Sequence, residues 1–524
     1  MLNRAHNKVI FKYLATLCLA GWSLIVQAQD LGEPHVALLP TPTAFKFTRE
    51  TLTLPDSEKI GLLGGILLFD VNHSVRVGAG SFGAVRGSRG GFITLGVTAE
   101  VQHRLSSSWV SHAGLYVGAG GGRGTNILTG GGLMLRSDIN ISHETQRYGN
   151  FGFGYSHINF PSGLIRSGQP YVQYEYPFYS LLGQGWCAPP FANDSAWQNS
   201  PTLDAHEFTL VWRSYKISSS MKQAPSNSPH NSMQLLGVEW LSYLNEHWFY
   251  KLETEGAIGG QSNGYMQILG GGGYRFKLSP RSAIKLHIAA GPAGGGGIDT
   301  GGGLLVDTGI SLQQSLTQRS AIEMSLSEVR SPSATFKALS AGLKLNYQFS
   351  LPQVSAMPVS KKTIRLFEPK HLRVRLANQI YIKANPHWRN NEIDRPIKNL
   401  GVQLDYFISP QWFLTGQGLA AYAGKAGNYM TGQVGVGRQW SLSSNYYIEA
   451  EGLLGAAGGG GVAVNGGLVG QVNGAIVYRL TDWLSLMAHI GRIEALPGQF
   501  KAKVVGVSLA YQLSGFTSTP NNKY

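Results

Sequence analysis

Gly291-Pro292-Ala293-Gly294-Gly295-Gly296-Gly297 runs on into Ile298-Asp299-Thr300-Gly301-Gly302-Gly303-Leu304-Leu305, and this stretch has two counterparts in the 524-residue chain. One is Gly455-Ala456-Ala457-Gly458-Gly459-Gly460-Gly461, leading to Asn465-Gly466-Gly467-Leu468; the other is Gly118-Ala119-Gly120-Gly121-Gly122-Arg123-Gly124, leading to Gly130-Gly131-Gly132-Leu133. The match extends beyond glycine. A shift of 164 carries Gly237 onto Gly401, Trp248 onto Trp412 and Tyr347 onto Tyr511; a shift of 171 carries Pro161 onto Pro332, Tyr176 onto Tyr347 and Phe178 onto Phe349. Self-similarity at a fixed period marks a repeated structural unit. The expectation is one module of about 165 residues, written three times.

Outward from the tract, the residues alternate. In Ser282 to Gly291, Ile284, Leu286 and Ile288 share one face, with Lys285, His287 and Ala289 on the other. Ile322, Met324 and Leu326 oppose Glu323, Ser325 and Ser327. Leu339, Leu343, Leu345, Tyr347 and Phe349 oppose Ser340, Gly342, Lys344, Asn346 and Gln348. Period-two alternation over such lengths is the signature of a strand with two unlike faces. Short polar turns (Asn245-Glu246-His247, Ser279-Pro280-Arg281, Thr317-Gln318-Arg319) alternate with Gly-bearing loops, and recur at Ser409-Pro410-Gln411, Ser443-Ser444-Asn445 and Thr481-Asp482. A further amphipathic strand precedes each module, at Phe45 to Leu54, Phe208 to Ser218 and Leu372 to Asn385. That gives eight strands per module, starting and ending on the same side.

Residues 1–28 have the form of a secretory leader. Arg4, Lys8 and Lys12 precede the apolar run Tyr13 to Val26, and Val26-Gln27-Ala28 supplies small residues for cleavage near Ala28. Leu17 before Cys18 argues against lipidation, and Cys187 is then the only cysteine of the mature chain, so no internal disulfide is expected. No run of eighteen apolar residues follows, which excludes ordinary membrane helices. Glycine is abundant, at 69 of 524, and only 14% of residues are charged, against about 25% in soluble domains. An exported, weakly charged chain of alternating strands suits an antiparallel transmembrane β-barrel, with apolar residues against lipid and polar ones in the lumen. The formal charge is +14, of which the leader supplies three, and a basic excess suits contact with lipopolysaccharide phosphates.

The modules end alike, in Tyr171-Val172-Gln173-Tyr174-Glu175-Tyr176-Pro177-Phe178, Gly342-Leu343-Lys344-Leu345-Asn346-Tyr347-Gln348-Phe349 and Gly506-Val507-Ser508-Leu509-Ala510-Tyr511-Gln512-Leu513. Here the chain resembles the bacterial outer-membrane β-barrel superfamily, whose last strand alternates and closes on an aromatic. The resemblance implies insertion by the barrel assembly machinery and contact with outer-membrane lipid and lipopolysaccharide. The chain departs from it at the end, where Ser514 to Tyr524 is expected to extend beyond the last strand.

The expected division is leader 1–28, first module 29–182, linker plus second module 183–351, and linker plus third module 352–524. The connectors, one holding Gln184 to Pro190 and the other running from Leu351 to His371, are far longer than the turns, as linkers or functional loops are. Three small barrels in tandem are favoured over one barrel of about 24 strands. The connectors exceed what a fused barrel needs, and an unplugged wide barrel would leave an aqueous channel.

Chemistry is sparse. The glycine tracts lack the Lys-Ser/Thr and helix of a phosphate loop, so they are assigned to tight hairpins, strand curvature and close strand approach. Lys251, Glu253, Glu255, Lys285, His287, Asp307 and Glu323 lie on polar faces of the second module, Glu449 and Glu451 in the third, Arg136 and Asp138 in the first. In small barrels these are compensating ion pairs; in a wide one they line a channel. Tyr155-Ser156-His157-Ile158-Asn159-Phe160 resembles the strand of lipid A deacylase barrels that carries a catalytic His with Ser two residues later. His157 matches that His, but Asn159 stands where the Ser belongs, and Glu328 occupies the matching position in the second module. His103, His112 and His143 show no metal-ligand spacing, and no cofactor or nucleic-acid motif is present. The function expected is a non-enzymatic envelope role, structural or in passage of solute or polymer, with a lipid A deacylase using His157 as the alternative.

Overall fold

The computed structural model describes residues 40–122, 126–145, 148–186, 203–218, 231–352, 367–389 and 394–518. The leader, Cys187 and most of both connectors lie outside them. Twenty-four antiparallel strands and one short helix make up the described chain.

The first eight strands are β1 (Pro40–Thr53), β2 (Lys59–Asp70), β3 (Val75–Arg86), β4 (Ile93–Arg104), β5 (Trp109–Gly121), β6 (Leu133–Thr145), β7 (Gly149–Asn159) and β8 (Arg166–Gln184), with α1 (Asn126–Thr129) between β5 and β6. Each pairs with the next, and β8 returns to β1 from Leu181↔Pro40 to Tyr171↔Glu50. Strands β9 (Leu203–Ile217), β10 (Ser232–Tyr243), β11 (Trp248–Gly259), β12 (Met266–Lys277), β13 (Ser282–Gly294), β14 (Leu304–Ser315), β15 (Ser320–Arg330) and β16 (Lys337–Pro352) form a closed barrel. Strands β17 (Phe367–Lys383), β18 (Ile397–Phe407), β19 (Trp412–Ala423), β20 (Met430–Ser441), β21 (Tyr446–Gly458), β22 (Leu468–Arg479), β23 (Leu484–Ala495) and β24 (Lys501–Ser518) pair in order, and β24 returns to β17 from Ser518↔Phe367 to Ala502↔Lys383. A short contact of β24 with β8, Leu513↔Gln184 to Gly515↔Leu182, joins the first and third rings into one hydrogen-bonded system of sixteen strands. A single barrel of about 24 strands is incompatible with β9–β16 closing on itself.

Several expected boundaries are corrected. β24 does not stop at Leu513 but continues to Ser518, because Phe367 to His371 supplies it with a partner. The same pairing moves the start of β17 back from Leu372, so Phe367 to His371 is strand rather than connector. β8 likewise continues through Gln184 and β16 through Pro352.

The alternation is realised in every ring. Along β13, Ala283, Lys285, His287 and Ala289 are buried, while Leu286 and Ile288 are 43% and 58% exposed. The outward face of β16, Leu339, Leu343, Leu345 and Tyr347, is exposed as well. Aromatic residues gather near the short turns: Trp248 against Tyr274 at 5.0 Å, Tyr446 against Tyr478 at 5.0 Å, Trp483 against Tyr511 at 5.6 Å. An exposed apolar band edged by an aromatic girdle is the exterior of a membrane barrel.

Candidate functional site

Each lumen is filled. Towards the Gly-bearing loops, apolar clusters close it: Leu52, Phe82, Phe92 and Phe160 in the first ring, Tyr215, Tyr265, Ile298 and Phe336 in the second, Tyr381, Trp388, Tyr429 and Phe500 in the third. Below these lie buried ion pairs. In the first ring Lys46 meets Glu100 at 2.6 Å and Arg76 bridges Glu100 and Glu175. Arg136 holds Glu50 at 2.9 Å and Asp138 at 2.5 Å, and Tyr171 donates to Asp138 at 2.5 Å.

The second ring places its sequence candidates in two joined clusters. Arg213 reaches Glu253 at 3.1 Å, Glu255 at 3.0 Å and Asp307 at 2.7 Å, and His287 stands 3.4 Å from Asp307. Lys251 contacts Glu239 at 2.7 Å and Glu253 at 2.8 Å; Lys285 contacts Glu207 at 2.6 Å and Glu323 at 2.9 Å. Lys344 completes the set at 3.0 Å from Glu239. In the third ring Arg373 pairs with Asp405 and Glu449, both at 2.6 Å, and Arg375 with Asp405 at 2.6 Å and Glu451 at 3.2 Å. Sequence reasoning placed Lys344 on the polar face without a role and missed Arg213, Glu207, Glu239, Arg373, Arg375 and Asp405, although all share the alternation of the residues it found. The void among Glu239, Lys251, Lys285 and Lys344 is about 10 Å³. A cavity of ~10–15 Å³ holds one water, so this void has no room for a solute.

His157 is on the outward face of β7, exposed, while its neighbour Ser156 points inward and donates to Glu50. Its cross-strand partners are Ser137 and Gly168, neither of them an acid. Glu328 pairs with Lys337 at 3.1 Å. His112 is a lumen residue, 2.8 Å from both Glu100 and Ser142. Among the described residues no group of three or more His, Cys, Asp or Glu could hold a metal ion.

The glycine tracts meet between rings. β3 packs on β13, β11 on β21 and β19 on β5, so the third strand of each ring faces the fifth strand of the next and the sequence closes. The loops beyond these strands touch as well. Gly90 N donates to Gly301 O at 2.8 Å and Gly91 N to Ala293 O at 3.1 Å. A Cβ on Gly458 would stand 2.0 Å from the Gly264 nitrogen, and one on Gly121 would stand 2.3 Å from the Gly427 oxygen. Only glycine lets backbones meet this closely. The tight-turn expectation holds too, since Gly295, Gly296 and Gly297 have φ of 94°, 58° and 79°, a region that residues with a Cβ rarely enter. Outside the strands, Arg89 holds the Glu58 carboxyl below its ordinary range by hydrogen bonding to it, at 2.9 Å through Nε and 2.7 Å through Nη2.

Below that glycine collar the three outer faces enclose a space of about 3220 Å³. Its wall is largely apolar, with Phe47 and Leu67 from the first ring, Trp240 and Leu252 from the second, Leu404 and Leu414 from the third. Arg275, Arg319 and Lys370 stand at its short-turn end.

No family model matches the chain, and no curated protein does. Among solved structures, a de novo designed transmembrane β-barrel aligns with 28% of this chain and 96% of its own at 15% identity and a TM-score of 0.20. The ferric enterobactin receptor of Pseudomonas aeruginosa, solved with enterobactin, aligns over 91% of this chain and 82% of its own at 9% identity and a TM-score of 0.26. The siderophore receptor PirA of Acinetobacter baumannii aligns over 90% and 80% at 7% identity, also at 0.26. At these scores none of them lends this chain a ligand or a mechanism.

Proposed function

We propose that this chain is a non-enzymatic outer-membrane protein in which one module, repeated three times, forms three small barrels held together by their glycine loops. Its role on this reading is structural: it presents a fixed three-barrel assembly, joined on one chain, in the outer membrane of a Gram-negative cell. The leader directs export, the assembly machinery inserts the barrels, and lipid and lipopolysaccharide surround them. The short turns face the periplasm and the Gly-bearing loops face outward, as in bacterial barrels generally.

The observation that carries the proposal is the filling of all three lumens by apolar clusters and interlocked ion pairs, beneath an exterior that stays apolar. Such an interior supports a structural role over passage of solute or polysaccharide through a lumen. The experiment is reconstitution of the full chain in planar bilayers, where large, porin-like conductance steps would overturn it. The alternative, a lipid A deacylase using His157, is tested by mass spectrometry of lipid A from cells with and without the gene. An acyl-chain difference abolished by His157→Ala would establish the enzyme.

A further inference from the structure

Resting on the membrane reading above, we propose that the space between the three rings is a lipid-binding chamber whose occupant is an anionic diacyl phospholipid from the leaflet at the short-turn end. The chamber is far larger than the ~300–1,000 Å³ of ordinary ligand pockets, at about 3220 Å³. Small apolar voids stay dry and empty, whereas water enters a site only where polar groups offer it several hydrogen bonds. Phe47, Leu67, Trp240, Leu252, Leu404 and Leu414 offer none through aliphatic or ring carbon. Leaving so much surface without contact atoms forfeits dispersion along the whole wall. At membrane depth the matching material is the acyl chain.

The direction of entry and the headgroup follow from the two ends. The collar of Gly91, Gly264, Gly294 and Gly458 brings backbones together at the loop end. The opposite end carries Arg275, Arg319 and Lys370, all half-buried on the chamber wall. Cations at the rim and hydrocarbon above them match a phosphate headgroup with its chains pointing towards the collar. A neutral headgroup gains less from that rim, which is why the occupant is assigned as anionic.

Three glycines provide the test. Gly65, Gly270 and Gly432 line the chamber, and an added Cβ at each would meet nothing within 4 Å. Gly452 is equally clear but does not line it. The full chain is reconstituted in vesicles of phosphatidylglycerol and phosphatidylcholine, extracted into detergent, and weighed by native mass spectrometry. Wild type should retain phosphatidylglycerol through detergent exchange, and so should Gly452→Trp. Gly65→Trp/Gly270→Trp/Gly432→Trp should lose it while still shifting on unheated gels. Arg275→Gln/Arg319→Gln/Lys370→Gln should keep lipid and lose the preference for phosphatidylglycerol. A wild type without bound lipid, or equal retention in the triple tryptophan and Gly452→Trp proteins, would overturn the chamber; equal retention of both lipids by wild type would overturn the anionic assignment. Should the triple variant not fold, Gly270→Trp alone is read by brominated phosphatidylglycerol. Quenching of the new indole in detergent after extraction is expected, and an unquenched indole overturns the proposal. A wild-type chain that never enters vesicles would instead remove the membrane reading itself.

Discussion

Replacing Arg213 by Met decides whether the lumen of the second ring is a dry core or a wetted channel. Arg213 is buried and stands within 3.1 Å of Glu253, Glu255 and Asp307. Without it, Glu253 keeps Lys251 at 2.8 Å and Asp307 keeps His287 at 3.4 Å, but Glu255 keeps only the amide of Gln267, at 3.3 Å. No neighbouring cation is spare, because Lys251, Lys285 and Lys344 already face Glu207, Glu239 and Glu323. Breaking a buried pair from one side costs about 3–5 kcal/mol, whereas an exposed pair contributes about 0–1 kcal/mol.

The dry lumen therefore predicts a loss of about 3–5 kcal/mol. Hydrogen exchange of β9–β16 peptides in detergent reads the opening free energy of this ring separately from the other two. Replacing the whole cluster together, Arg213→Met with Glu253→Gln, Glu255→Met and Asp307→Leu, should recover most of the loss. A deficit below about 1 kcal/mol would refute the packed-lumen argument and return the channel reading.

Gly302→Val places a Cβ 2.7 Å from the Arg86 Cα without φ strain, so it should part the first and second rings. The Gly90 and Gly91 amides should then exchange faster by an order of magnitude or more, with β13 and β14 protection unchanged. Arg89→Ala should raise the Glu58 carboxyl towards its ordinary titration, seen by NMR in detergent. Because that carboxyl is depressed in the folded chain, its small contribution is present at neutral pH and lost as pH falls through the folded value. His157→Ala should leave folding and lipid A acylation unchanged, since the side chain faces outward with no acid across either neighbouring strand.

Strand identity was legible because burial follows a period of two: Lys285 and His287 inward, Leu286 and Ile288 outward. The charged candidates were legible as a face but not as partners. Arg213 on β9 and Asp307 on β14 are 94 residues apart, and only ring closure brings them to 2.7 Å. The strand ends were misjudged where Pro and charged residues interrupt alternation. Phe367 to His371 contains Glu368, Pro369 and Lys370, yet pairs with the end of β24 along its whole length. The leader and most of both connectors lie outside the described residues, so export rests on the sequence.

Glycine shows most clearly what one strand's pattern cannot tell. A residue without a side chain carries no mark of which surface approaches it, so close strand approach was legible for these glycines but the approaching strand was not. In the folded chain a Cβ at Gly458 would lie 2.0 Å from Gly264, in the next ring. The tracts therefore act between rings as well as within them. A ring arrangement in which each third strand meets the next fifth strand gives every ring one junction through its third strand and one through its fifth. Losing the tract from any single ring would leave one of the three junctions unable to close. It would also unseal one side of the collar over the central space. Arrangement of the rings and closure of that space are thus consequences of the same glycines, and a variant such as Gly458→Val should disturb both together.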